Sequence, residues 1–69
     1  MFHTDVDAFK EKVKAKGFTL EGLASDMGID RSKIYRHLVK NKLTVNEMYS
    51  IISILSLTQE EVIEIFFAR

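Results

Sequence analysis

Apolar residues return along this chain three or four positions apart, in five separate runs. Val6, Phe9 and Val13 form the first stripe, with Lys10, Lys12, Lys14 and Lys16 spread around the remainder as a solvated face. Leu23 and Met27 mark the second run, and Ile34 and Leu38 the third. Val45, Met48, Ile52 and Leu55 make the fourth, placed to face the core, while Tyr49, Ile51 and Ile54 widen its apolar surface. In the fifth, Val62, Ile65 and Phe66 share one face and Ile63 and Phe67 a neighbouring one. Polar starts and glycine stops punctuate these runs. Thr4 and Asp7 have capping-box spacing with Asp in place of Glu, Asp5 and Asp7 suit the positive end of a helix, and Gly17 ends it, so the pattern predicts a helix over residues 5–16. Thr19 opens a second helix that Gly28 closes, and Asp30 caps a third over residues 31–39. The stretches TVNE at 44–47 and TQEE at 58–61 are full capping boxes and start the fourth and fifth. The expected fold is all-α, one five-helix domain over residues 1–69.

Residues 19–38 are the stretch around which the rest is expected to arrange itself, because two short helices meet there at a glycine turn, the pattern of a helix-turn-helix. Leu23, Met27, Ile29, Ile34 and Leu38 supply the apolar faces that lock the pair. Ala24 is small where the second helix crosses closely. Phe18 is expected to be buried as the chain enters the motif. Gly22 lies inside the first of the two helices, where glycine costs about 1 kcal/mol relative to alanine; either a close backbone approach or tolerance on an exposed side accounts for it.

The run Ala24-Ser25-Asp26-Met27-Gly28-Ile29, followed by Ile34, resembles the helix-turn-helix of the Cro and cI phage repressors, the lambda-repressor-like family. The likeness covers nearly the whole chain, since the flanking helices fall where that family has them. Two positions depart from the family pattern: Leu20 stands where relatives often carry a phosphate-binding glutamine, and Asn41 replaces a glycine in the loop Lys40-Asn41-Lys42. Asparagine also adopts the left-handed conformation. The resemblance implies double-stranded DNA as the partner, with the third helix in the major groove, Arg31, Ser32, Tyr35 and Arg36 facing bases, and Thr19, Lys33, Lys40 and Lys42 at phosphates. It further implies a short repressor of phage or mobile-element type acting on a palindromic operator.

Physical chemistry gives those side chains suitable work. At 100° per residue, Ile34 and Leu38 mark the buried side of the third helix, with His37 beside them as a partly buried packing residue, and Ser32, Tyr35, Arg36 and Val39 point the opposite way. Arginine bonds bidentately to guanine O6 and N7, serine reaches a base edge or a phosphate, and tyrosine bonds phosphate or packs on a thymine methyl. A net charge of zero argues against nucleic acid, because affinity comes largely from cations displacing counterions. Distribution offsets this: Arg31, Lys33, Arg36, Lys40 and Lys42 fall in a stretch with no acidic residue between Asp30 and Glu47, while Glu60, Glu61 and Glu64 gather near the other end.

Other classes recede. With no cysteine, disulfides and thiolate metal sites are excluded, and the two histidines, His3 and His37, form no metal-binding motif. No cofactor, metal or small-molecule substrate is expected, and no nucleophile–base pair or phosphate-cradling glycine loop points to an enzyme. No run approaches the roughly 18 apolar residues of a membrane span, and no signal peptide is evident, so the expected location is cytoplasmic. The last helix carries more apolar surface than a small domain needs, and Ile63, Phe66 and Phe67 are expected to form a homodimer interface, the alternative being that both faces are core in a monomer. A rival reading is a protein-interaction module, an antirepressor or adaptor, using the hydrophobic surface of helices 4 and 5.

Overall fold

Each expected run becomes a helix with a polar residue at its start, and the first four are closed by a left-handed residue. In the computed structural model, which describes residues 4–67, the order is α1 (Val6–Ala15), α2 (Leu20–Met27), α3 (Arg31–Val39), α4 (Val45–Leu55) and α5 (Gln59–Phe66). No strand occurs among the described residues. His3 lies outside them.

Both full capping boxes form. Thr44 Oγ1 accepts from Glu47 N at 3.1 Å while Thr44 N donates to Glu47 Oε1 at 2.9 Å, and Thr58 and Glu61 repeat the exchange at 3.2 and 2.9 Å. The start of α1 differs from expectation. Asp5, not Thr4, is the cap, its carboxylate accepting from Ala8 N at 3.0 Å. The shift follows from what lies opposite: Asp5 N donates to the Ile65 carbonyl at 2.7 Å, satisfying a C-terminal carbonyl of α5. Thr4 is thereby buried, its N–H donating to Asn41 Oδ1 at 3.1 Å, and its hydroxyl has no partner. Asp30 occupies the cap position of α3, but its side chain makes no cap bond.

Four helix ends share one construction. Gly17, Gly28, Asn41 and Ser56 have φ of 84°, 74°, 56° and 51°. After each, the next N–H reaches back to the last turn: Phe18 to the Val13 carbonyl, Ile29 to Ala24, Lys42 to His37 and Leu57 to Ile52, at 2.8–3.0 Å. This is the Schellman arrangement. Asn41 therefore does what a glycine does in that loop. Ser56 was not foreseen as a left-handed stop, since serine lacks both glycine's freedom and asparagine's preference.

The buried set is Phe9, Val13, Leu23, Ala24, Ile34, Leu38, Leu43, Ile51, Leu55, Ile65 and Phe66. Burying each of the larger side chains contributes about 1.5–3 kcal/mol. α2 packs against both α3 and α4, and α1 packs against α5. Two expectations fail. Val45, the first residue of α4, is 64% exposed, and the inward stripe is instead Met48, Ile51, Ile52 and Leu55. Phe66 is fully buried in the same cluster as Phe9, so it is core rather than dimer interface; the face it shares with Ile65 is the one α5 turns inward. Gly22 is exposed, and a Cβ there would sit 3.1 Å from Thr19 Oγ1, so what approaches closely is the cap hydroxyl of its own helix.

The α1–α5 seam carries an ionic clasp. Lys12 Nζ and Lys16 Nζ each lie 3.2 Å from the Glu61 carboxylate, so two of the lysines expected to be merely solvated are engaged. Glu61 is held down to about 2, first by the Thr58 N–H and then by Lys16.

Three outcomes follow. Because the Glu61 pKa is lower folded than unfolded, its contribution is complete above its ordinary value of 4.5 and is lost as pH falls toward about 2; thermal midpoints across that window should fall for the native chain and fall less for Glu61→Gln. Thr4→Val removes an unpartnered buried hydroxyl at constant shape and should raise unfolding free energy by about 1 kcal/mol in urea titration. Ser56→Gly relieves a left-handed non-glycine residue and should add about 0.5–1 kcal/mol by the same measurement.

Candidate functional site

α3 is fixed from behind and open in front. Ile34 and Leu38 are fully or almost fully buried, pinning the helix against α2. His37, one position before Leu38, reaches α4: its Nδ1 lies 3.0 and 2.9 Å from the two oxygens of Glu47. Burial pushes the Glu47 carboxyl up, but the Thr44 N–H and the bond to His37 outweigh it, and its pKa is lowered overall. One carboxylate thus caps α4 and braces α3. His37 packs half-buried, as expected, with this polar bond in addition.

In front, Arg31, Ser32, Tyr35 and Arg36 are all exposed. Helical spacing puts Ser32, Arg36 and Val39 on the side away from Ile34 and Leu38, with Tyr35 at its edge and Lys33 also exposed, whereas Arg31 falls beside Leu38 around the helix and lines a cleft with Lys10, Lys14, Phe18 and Leu20. Lys40 follows directly as the α3 C-cap, and Lys42 is exposed just beyond Asn41. Across residues 31–46 there is no carboxylate, and Glu47 is turned to His37, so this side of the molecule is cationic. Thr19 is exposed at the start of α2, but its hydroxyl already accepts from Gly22 N at 2.9 Å. It can offer an anion its remaining hydroxyl proton, not a free cap.

One neighbour was not legible in the sequence. Lys10 of α1 places its Nζ 4.8 Å from the centre of the Tyr35 ring, a cation–π contact that holds the ring at the edge of the α3 face. No local pattern links positions so far apart; only the tertiary fold brings the pair together. The dimer residues divide: Ile63 and Phe67 are 52% and 48% exposed, whereas Phe66 is withdrawn into the core. Among the described residues, no group of three His, Cys, Asp or Glu side chains is placed to hold a metal ion, and no helix is long and apolar enough to cross a membrane.

No family model, curated protein or solved structure matches this chain.

The brace between α3 and α4 has a measurable signature. Glu47→Ala removes the reciprocal half of the Thr44 cap and leaves His37 without its partner, and should lower unfolding free energy by about 2 kcal/mol at neutral pH. Since the Glu47 pKa is lowered in the folded chain, its stabilisation is present above 4.5 and is lost as pH drops below that value. The deficit of the variant should therefore shrink in acid.

Proposed function

We propose that this chain is a sequence-reading double-stranded DNA-binding protein, a transcriptional regulator that lays α3 in the major groove. The observation that carries the reading is the exposed side of α3: Ser32 and Arg36 opposite the buried Ile34 and Leu38, with Tyr35 at the edge and Arg31 exposed at the helix start. A face that reads bases must be rigid, solvent-exposed and rich in fork-shaped or small donors. Arg36 serves as the bidentate reader of guanine, Ser32 takes a base edge or phosphate near the start of the helix, and Tyr35 packs on a thymine methyl or bonds phosphate. Arg31 completes the set. Lys33, Lys40 and Lys42 hold phosphates and set register, with Thr19 contributing a hydroxyl.

Two short helices, α2 and α3, joined through the left-handed Gly28, together with the resemblance of residues 24–29 to the Cro and cI helix-turn-helix, support reading the chain as a repressor of that type. A symmetric pair of chains would set two α3 helices about 34 Å apart on a palindromic site. Ile63 and Phe67 on α5 are the apolar contacts available for that pairing. Binding as two weak halves makes occupancy steep in protein concentration.

A second reading has its own observation. Val45 and Tyr49 are 64% and 67% exposed on α4, and Ile63 and the C-cap Phe67 are exposed on α5, so both helices carry exposed apolar side chains. A protein-interaction module would use that surface and leave Arg36 idle.

Selection from a random duplex pool at moderate salt decides between them. The DNA reading expects an enriched inverted repeat with half-sites about 10 base pairs apart; absence of any enriched sequence, even at low salt, would sink it. On the selected duplex, Arg36→Ala and Ser32→Ala should each weaken binding about 10-fold or more and relax preference at a single base position. Lys40→Ala should instead weaken all duplexes alike and lower the salt slope by about one.

A further inference from the structure

We propose that the cleft where α1 meets the first turns of α2 and α3 is a binding site for a small organic anion with a flat apolar body, and that its occupant is felt at Arg31 and Tyr35. The cleft holds about 460 Å³, within the range of small-molecule sites. Its floor is apolar: Val13 is buried, and Phe18 and Leu20 are half-buried. Around the floor stand three cations, Lys10 and Lys14 from α1 and Arg31 from α3, against one carboxylate, Glu21. In a chain whose basic and acidic residues balance at ten each, three to one is a local excess of positive charge. An anion answers that charge, and a planar apolar body covers the floor that a bare inorganic ion would leave wet.

The same lining connects the cleft to the outward face of α3. Lys10 both lines the cleft and stands over the Tyr35 ring at 4.8 Å. Lys10 has a single ammonium, so a carboxylate in the cleft competes with the Tyr35 ring for it. Arg31 already lines the cleft, so a bound carboxylate holds it there and away from any contact beyond α3. Two of the four side chains assigned to base reading, Arg31 directly and Tyr35 through Lys10, are thereby engaged by one small molecule. Any antagonism toward DNA rests on the function proposed above and is reciprocal by linkage; the site itself does not depend on it.

The test is an amide and aromatic NMR titration of the full chain with 1-naphthoate at neutral pH and moderate salt, beside inorganic phosphate and uncharged naphthalenemethanol. Expected are saturable shifts at Val13, Phe18 and Leu20, with both controls binding at least about tenfold more weakly, and Tyr35 ring signals following the same saturation curve. Lys14→Gln should weaken naphthoate roughly tenfold at an unchanged melting midpoint, and Lys10→Gln should leave the Tyr35 ring unresponsive while residual binding persists. The proposal is overturned by the absence of saturable shifts, by equal binding of the alcohol, which would mean an apolar crevice only, or by equal binding of phosphate, which would mark a seat for a nucleic-acid backbone. A selected duplex displaced by naphthoate from the native chain but not from Lys14→Gln would extend the coupling to DNA. Failure to select any duplex would remove the DNA reading and leave the naphthoate result standing.

Discussion

The turn is the constraint on which this small protein depends. Five helices of eight to eleven residues are each too short to persist alone, so the fold exists only if each end directs the next helix back onto the others. A single left-handed residue does this at Gly17, Gly28 and Ser56, and each is followed by one apolar residue and one capping residue: Gly17-Phe18-Thr19, Gly28-Ile29-Asp30 and Ser56-Leu57-Thr58. Phe18, Ile29 and Leu57 pack against the core while the residue before each satisfies the outgoing carbonyls. Termination, burial and initiation are completed within three positions. Asn41 follows the same rule with a longer exit, because Leu43 is the residue buried there and Thr44 the cap.

Much of this was legible in the sequence because its signals are local. Capping boxes at 44–47 and 58–61, and stops at Gly17 and Gly28, require only neighbours along the chain to be recognised. The extent of α3 and its outward residues followed from helical periodicity alone. What escaped depends on distant partners. Thr4 lost the cap to Asp5 because the Ile65 carbonyl claims the Asp5 N–H, and Phe66 moved from surface to core because its face of α5 is turned inward. Val45 obeys the apolar stripe of α4 in sequence yet stands at its exposed first turn.

At the candidate site the division is the same. Exposure of Ser32, Tyr35 and Arg36 could be laid out on a helical wheel, but the place of Arg31 in the cleft beside α1 and the contacts made by His37 and Tyr35 could not. Glu47 bracing His37 and Lys10 covering Tyr35 join α3 to α4 and α1 through side chains that periodicity treats as ordinary surface. Rigidity of the outward face is therefore a tertiary property, even though its chemistry is a sequence property.

The bond from Asp5 N to the Ile65 carbonyl, with the Lys12–Glu61–Lys16 clasp beside it, gives the fold the topology of a closed ring. Successive helices are joined by turns of a few residues, whereas this seam joins the first helix to the last across nearly the whole chain, so its closure carries the largest loop entropy of any contact. A mechanical pull on the two ends of the described chain would load that seam before any helix is stretched. The ring would open there first, with α2, α3 and α4 still packed as a unit.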